Sequence, residues 1–194
     1  MIILATKSQT RIQLLANAGI DFKTETARID EREIESSAAS STFDQQNLTQ
    51  NLADAKAKDV SLRHPQALVV GADQTLSIND SYLHKPANFD ALRDQLQLLR
   101  GKTHILCAAV SVCRDGEVLW GQQSNAKMTM REFSDAEADH VIKLEGDKLL
   151  KSVGGYRLEG PSIQLFERID GDYFTILGLP LLPLLTALRN LKAI

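Results

Sequence analysis

The feature that most limits the fold is an apolar run from Ala67 to Ala72 that ends at Asp73. A run rich in Leu and Val without alternation is typical of a strand covered on both faces, as in α/β proteins. Gly71 keeps the backbone open to close approach just before the acid. Open α/β sheets bind ligands at strand ends, so we expect Asp73 to leave this strand into a cleft. An isolated acid at such a place would more often cap the next element, but the rest of the chain favours a chemical role.

The composition predicts one globular domain. The chain has 194 residues, 43% of them hydrophobic, which is enough for the core of a single domain over residues 1–194, with room for two lobes. A formal charge of −3 gives no broad basic surface for duplex nucleic acid or an anionic membrane. A few clustered cations are still enough to bind a small anion. The amino terminus shows no basic leader and no long apolar segment, so we expect a cytoplasmic protein.

The two cysteines predict neither a disulfide nor a metal site. Cys107 and Cys113 lie on one predicted strand, which separates them by about 20 Å and excludes a bridge between them. Neither has the spacing or the histidine neighbours of a zinc site. We interpret both as small buried apolar residues, as expected in a reducing compartment.

Strand and helix signals alternate along the chain, which predicts an α/β fold. The predicted elements are a strand at 2–5, a helix at 9–18, a strand at 21–29, a helix at 43–62, the strand before Asp73, a helix at 89–100, strands at 103–114 and 117–130, a helix from the capping box 134–137 to about 144, a strand at 162–169 and a helix at 180–191. Asp115-Gly116 predicts a type I′ hairpin between the two long strands. The serine-rich segment 36–41 predicts a mobile loop.

The turn between the first strand and the first helix is a candidate anion site. Its polar and basic side chains are Thr6, Lys7, Ser8, Thr10 and Arg11. With the N–H groups of the helix N-terminus they predict a phosphate cradle. The turn lacks the glycines of a P-loop. Taken alone, such a turn is more often a helix cap with solvated basic residues.

Three other positions are candidates for ligand contact. Lys85 lies in the sequence HKP, on an extended backbone just ahead of a helix, where it can point at a phosphate or lie on the surface. Glu159 ends a glycine-rich segment that either approaches a planar ligand closely or forms an ordinary turn. Lys56 lies one step from the apolar face of its helix, where it can lean into a cleft.

The chain resembles the Maf family of nucleoside triphosphate pyrophosphatases in the ordered motifs ATKSQTRIQLL, LADAKA, VVGADQ, HKP, GKTH, GGYRLEG and GDYFTILGLPL. The resemblance covers almost the whole chain. It implies a Maf-like, ITPase-like α/β domain with an elongated mixed β-sheet flanked by helices, two lobes around a deep cleft, and frequent homodimers. It also implies cleavage of a nucleotide to its monophosphate and pyrophosphate that depends on Mg²⁺ or Mn²⁺.

The resemblance assigns roles to individual residues. Asp73 matches the catalytic acid, and Glu31 is the candidate that helps Asp73 to hold the metal. The positions that match polar residues of the family's cleft are Ser8, Arg11, Glu31, Lys56 and Lys85. The positions where the family sets substrate preference are Thr10, Gln74 and Glu159.

The mechanism that follows has Asp73 accept a proton from the water that attacks the α-phosphorus. A divalent cation would bridge phosphate oxygens and activate this water. The positive charges of Arg11, Lys56 and Lys85 would neutralise the triphosphate and the leaving pyrophosphate.

The preferred base is left open. Gln74 after the acid is closer to the branch that prefers 7-methyl-GTP than to the dTTP and UTP branch, where threonine commonly follows the acid. Glu159 could pair with a cationic methylated guanine. Thr10 stands where the family often has Arg or Trp, and so lacks an aromatic ring to stack on the base. The alternatives are therefore 7-methyl-GTP, the pyrimidine nucleotides and a broader range.

Two hypotheses from other classes remain. The family's association with septum formation suggests a non-catalytic, nucleotide-binding regulator of cell division, although such a protein needs no general base at Asp73. A phosphatase that forms an aspartyl-phosphate normally has a second aspartate two residues on, and Thr75 stands there instead. House-cleaning of modified nucleotides and control of division are both compatible with the predicted cleft.

Overall fold

Strands and helices alternate in the computed structural model, which describes residues 1–38, 47–79 and 81–194. The strands are β1 (Ile2–Ala5), β2 (Phe22–Glu25), β3 (Leu68–Ile78), β4 (Ser81–Leu83), β5 (Thr103–Arg114), β6 (Glu117–Met130) and β7 (Phe166–Asp170). The α-helices are α1 (Gln9–Asn17), α2 (Glu31–Ala38), α3 (Leu48–Arg63), α4 (Phe89–Leu99), α5 (Asp135–Glu145), α6 (Tyr173–Ile176) and α7 (Leu181–Asn190). Two 3₁₀ segments, Gly146–Lys151 and Pro161–Leu165, precede β7.

The described strands form one mixed sheet of seven strands in the order β2-β1-β3-β5-β6-β7, with β4 paired to β3. Strand β1 pairs in parallel with β2 and β3, whereas the β3–β4 and β6–β7 pairs are antiparallel. This confirms the predicted α/β fold with a mixed sheet flanked by helices. Within the described ranges, no helix combines the length and apolar character that crossing a bilayer requires.

The chain divides into two compact units. The first consists of residues 1–74, 107–124 and 173–194, and the second of residues 75–106 and 125–172. In the first unit, Leu4 and Val70 pack in one apolar cluster, while Ile3 and Val69 pack in another. Because alternate strand residues face opposite ways, β1 and β3 are covered on both faces, as the apolar run predicted.

The second unit has its own core. The predicted stripe on α4, formed by Leu92, Leu96 and Leu99, is fully buried. In the same unit, Nε2 of the buried His104 lies 2.6 Å from the hydroxyl oxygen of Tyr156, and the Phe166 ring meets Tyr156 edge to face.

Local signals predicted several element ends correctly. The hairpin between β5 and β6 turns at Asp115 and Gly116, with φ of 49° and 78°, as a type I′ turn requires. Ser134 and Glu137 form both hydrogen bonds of the capping box at α5. The side chain of Asn88 accepts a hydrogen bond from the backbone nitrogen of Ala91 at 2.9 Å and caps α4.

Other predicted elements were wrong in extent. Strand β2 covers only 22–25, because its neighbour β1 ends at Ala5, opposite Glu25. Residues 36–38 belong to α2 instead of a loop, and the Ser36 and Ser37 hydroxyls donate to the Glu33 carbonyl. The rest of the predicted loop and the start of the predicted helix 43–62 lie outside the described residues. Residues 162–165 are 3₁₀, so β7 begins only at Phe166.

Strand β3 differs most from the prediction. The sequence placed Asp73 at the end of the strand, but β3 continues to Ile78. The extension forms because Leu76 to Ile78 pair with β4 in a short antiparallel ladder. Asp73 therefore lies in the middle of a strand.

Candidate functional site

Asp73 lies where β3 has just lost one neighbour. The parallel pairing of β1 with β3 ends at Ala5 and Gly71, two residues before the acid. The Asp73 side chain is only 10% exposed. A buried carboxylate needs a cation or hydrogen-bond donors, so the partners of Asp73 define the site.

Lys56 on α3 is the first partner. Its ammonium group donates a hydrogen bond to Oδ1 of Asp73 and lies 2.9 Å from Oε1 of Glu31. Lys56 is 13% exposed, whereas Glu31 is 53% exposed. One ammonium group thus joins a buried carboxylate to one that faces solvent.

The close packing of α3 on β3 explains why Lys56 reaches Asp73. A Cβ atom on Gly71 would overlap the carbonyl oxygen of Ala53 and lie 2.7 Å from the backbone nitrogen of Ala57. The strand and the helix therefore approach backbone to backbone, which only glycine permits at this position. Lys56 immediately precedes the residue at this contact.

Helix α2 supplies Glu31. Its apolar residues Ile34 and Ala38 pack against Leu48 and Leu52 of α3. This contact holds the first turn of α2 beside the helix that carries Lys56.

Arg11 on α1 adds a second cation. Its Nε donates to the carbonyl oxygen of Gly178 at 2.7 Å, and its Nη1 donates to that of Ala72 at 2.9 Å. Burial lowers the pKa of the Arg11 guanidinium, and the negative charges of Asp73 and Glu31 partly offset this by raising it. The site in the first unit therefore contains two carboxylates and two basic groups.

The turn before α1 forms a helix cap. The sequence had left this open as the alternative to a phosphate-binding site. The Ser8 hydroxyl oxygen accepts a hydrogen bond from the backbone nitrogen of Arg11 at 3.4 Å. Thr6 accepts one from the backbone nitrogen of Ser8 at 3.1 Å. Thr10 is partly buried in the first turn of the helix. Contact of Ser8 or Thr10 with a phosphate or a base stays a prediction.

Gln74 makes contacts that the sequence did not predict. Its Nε2 donates to the carbonyl oxygens of Thr175 and Ile176, at 3.1 and 2.9 Å. A glutamine amide has two N–H groups, and both are used here. Gln74 therefore binds the segment that follows the last strand, and its role in base preference stays a prediction.

Lys85 and Glu159 belong to the second unit, where Lys85 is exposed. Oε1 of Glu159 accepts a hydrogen bond from Nη2 of Arg157 at 3.0 Å, and Nη1 of Arg157 lies 3.3 Å from Oε2 of Glu145. The buried Glu145 carboxylate also accepts hydrogen bonds from the backbone and hydroxyl groups of Ser162. Glu159 is thus fixed through Arg157 to a buried carboxylate.

The Maf-like protein family matches residues 1–191 of the chain. The chain belongs to the Maf-like family. The 7-methyl-GTP pyrophosphatase of Brucella abortus is 52% identical over 193 residues, which cover 100% of this chain and 97% of that protein. The 7-methyl-GTP pyrophosphatase of Mesorhizobium japonicum is 49% identical with the same coverage. The nucleoside triphosphate pyrophosphatase of Bradyrhizobium diazoefficiens is 49% identical over 189 residues, 97% of this chain and 93% of that protein.

The acids of this Maf-like site fit a hard divalent cation. In the described parts of the chain, no three His, Cys, Asp or Glu side chains cluster as a metal site. Glu31 and Asp73 nevertheless converge on one ammonium group, which shows that both carboxylates can face a single cation. Mg²⁺ is commonly held by one or two carboxylates together with waters and substrate phosphates, and this pair meets that requirement.

The sequence motifs named charged residues that lie together in the first unit, but not their backbone partners. The structure brings together Arg11, Glu31, Lys56 and Asp73, and their roles in catalysis and binding stay predictions. It also shows that Gly178 and Glu145 hold predicted site residues in place. The available signals were the glycine of ILGLP and the arginine between GGY and Glu159, but neither signal identifies a partner.

Proposed function

We propose that this Maf-like protein, a nucleoside triphosphate pyrophosphatase, uses Asp73 as its general base. The observation that carries the proposal is a buried carboxylate held by Lys56, beside Arg11, at the point where β3 loses its β1 neighbour. A general base must be fixed within reach of the attacking water. The ion pair with Lys56 supports this role because it fixes one carboxylate oxygen and leaves the other, Oδ2, to accept a proton.

The reaction has a simple balance of bonds. The water oxygen forms a bond to the α-phosphorus, and the bond from that phosphorus to the bridging oxygen of the β-phosphate breaks. The proton of the water passes to Oδ2 of Asp73. The products are the nucleoside monophosphate and pyrophosphate.

The cations of the site would stabilise the charge that develops during this step. Lys56 and Arg11 lie beside Asp73, so a triphosphate placed there would have two positive groups close to its α-phosphate. Phosphoryl transfer depends mainly on positioning and on such electrostatic stabilisation. Lys85 is a further predicted phosphate contact. A divalent cation held by Glu31 and Asp73 would supply Lewis-acid polarisation of phosphate oxygens and a more acidic water.

We infer 7-methyl-GTP as the preferred substrate. Relatives that are 49–52% identical over the full chain carry that name, and Glu159 offers a carboxylate to a cationic base. The ion pair of Glu159 with Arg157 implies that the base shares this carboxylate with a guanidinium. The deep cleft, the homodimer, the cytoplasmic location and the role in septum formation stay predictions.

The test is product analysis with a panel of 7-methyl-GTP, GTP, dTTP, UTP, CTP and ATP, with Mg²⁺ or Mn²⁺. We expect monophosphate and pyrophosphate in equal amounts, with the highest kcat/KM for 7-methyl-GTP. Orthophosphate and a diphosphate would contradict the reaction. Nucleotide binding without any pyrophosphate would instead favour the regulator of cell division.

A further inference from the structure

We propose that the segment 175–178 is a clamp that positions Asp73, and that Gly178 is a positioning residue for hydrolysis. The segment comprises the last two residues of α6 and the two residues that follow it, and the backbone carbonyls of Thr175, Ile176 and Gly178 accept the hydrogen bonds. The part of this inference that concerns turnover rests on the proposed function. The clamp itself can be tested without turnover.

The clamp grips β3 on both sides of the general base. On one side, Arg11 bridges the carbonyl oxygens of Ala72 and Gly178, at 2.9 and 2.7 Å. On the other side, Gln74 donates to the carbonyl oxygens of Thr175 and Ile176, at 3.1 and 2.9 Å. The residues before and after Asp73 are therefore both tied to one segment of four residues.

This arrangement has a reason in the topology. Strand β3 has no β1 neighbour beyond Gly71, so the backbone around Asp73 lacks ladder hydrogen bonds on that side. The Arg11 side chain supplies a hydrogen bond to the Ala72 carbonyl oxygen there, and the Gln74 side chain ties the strand to the carbonyl oxygens of Thr175 and Ile176.

Gly178 is the position in the clamp that requires a glycine. Its φ is +85°, which side chains rarely tolerate, and a Cβ atom there would lie 3.2 Å from Nη2 and 3.3 Å from Nε of Arg11. The same atom would lie 3.4 Å from Oε1 of Gln74. A methyl group at Gly178 would therefore press on the Arg11 guanidinium, whereas it would meet the Gln74 amide at an ordinary van der Waals distance.

The first experiment compares Gly178→Ala with Gly19→Ala. Gly19 is a matched control because it lies in the same unit with φ of +73°, and a Cβ atom there would meet nothing within 4 Å. In both variants alanine must adopt a positive φ, which is unfavourable for a residue with a side chain, so we expect both to lower Tm by a few degrees. Only Gly178→Ala should lower kcat, by about tenfold or more, because small misplacements of a catalytic group are costly.

A second variant, Gln74→Leu, removes the two hydrogen bonds that Gln74 donates to the carbonyl oxygens of Thr175 and Ile176. It leaves Gly178 unchanged. If Gln74 acts through the clamp, kcat should fall by the same factor for 7-methyl-GTP, GTP and dTTP. If Gln74 contacts the base, the ratio of kcat/KM between these nucleotides should change instead, and that result would contradict the role of Gln74 in the clamp.

Hydrogen exchange separates failure of the clamp from failure of the proposed function. In Gly178→Ala and Gln74→Leu we expect faster exchange in the peptide that covers residues 70–76, with no change in Gly19→Ala. Wild-type exchange in both variants would overturn the clamp whatever the enzyme hydrolyses. Faster exchange with unchanged kcat would retain the clamp but overturn Gly178 as a positioning residue. A wild-type protein that releases no pyrophosphate would refute the proposed function alone.

Discussion

Lys56 is the residue on which the two acids of the site converge. Its ion pair with Asp73 is largely buried, while Glu31 remains half exposed. Such a pair gives little net stability compared with an apolar core, but loss of one partner leaves an uncompensated buried charge. The sequence predicted Lys56 at the edge of an apolar helix face, but it did not predict that both carboxylates would share its ammonium group.

Replacing Lys56 should therefore destabilise the protein as well as impair turnover. We expect Lys56→Gln to lower the free energy of unfolding by about 3 kcal/mol, because it removes the cation that is paired directly with the buried Asp73 carboxylate. Urea unfolding measures this loss. Arg168→Gln is the control, because the ion pair of Arg168 with Asp170 is exposed and should contribute little. Equal losses in the two variants would contradict a buried role for the Lys56 pair.

Glu31 should matter mainly for the divalent cation. We expect Glu31→Gln to raise the Mg²⁺ or Mn²⁺ concentration for half-maximal turnover by about tenfold or more, since one of two carboxylate ligands is lost. The Mn²⁺-induced rise in Tm should shrink in parallel. The control is Glu33→Gln, an exposed acid on the same helix. Unchanged cation dependence in Glu31→Gln would remove Glu31 from the metal site.

At the scale of elements, the apolar run predicted where β3 begins but not where it ends. The extension to Ile78 comes from pairing with β4, and cross-strand pairing leaves little trace in an apolar pattern. Similarly, the serine-rich segment 36–41 reads as a loop by composition. Residues 36–38 are nevertheless the last turn of α2, where Ile34 and Ala38 give the helix an apolar contact with α3.

The first turn of α2 should be sensitive to its cap. The Asp30 carboxylate accepts hydrogen bonds from the backbone nitrogens of Arg32 and Glu33, at 3.0 and 3.3 Å. We expect Asp30→Ala to cost about 1 kcal/mol and to loosen Glu31, which raises the cation requirement. Ser134→Ala removes a comparable cap on α5 and should cost similar stability without that effect. The same cation requirement in both variants would contradict the link between cap and site.

For the whole molecule, the sequence predicted features whose signals are local and missed those that depend on distant residues. The turn at Asp115-Gly116 and the capping box at Ser134 each need only neighbouring residues, and both were confirmed. The Arg11 hydrogen bond to Gly178 joins residues 167 apart in the chain. A motif can mark both ends of such a contact, but only the folded chain shows that they meet.

His104 should make the stability of the fold depend on pH. Burial lowers its pKa from 6.5 to about 4, so between these values the unfolded chain binds more protons than the folded one. Stability is therefore present above pH 6.5 and is lost as pH falls towards 4, by about 3 kcal/mol in total. Urea unfolding at several pH values measures this slope, and His104→Gln should lack its contribution. Identical slopes in the two proteins would contradict this role of His104.

The most direct test of the account is pyrophosphate release by Asp73→Asn, measured beside nucleotide binding. The control is Asp59→Asn, an ion-paired aspartate of the same unit whose partner is Arg63. We predict that Asp73→Asn loses turnover by at least about a hundredfold, as expected for a general base, while it still binds the nucleotide and Asp59→Asn stays active. Turnover retained in Asp73→Asn would contradict the account and assign the general base to another group.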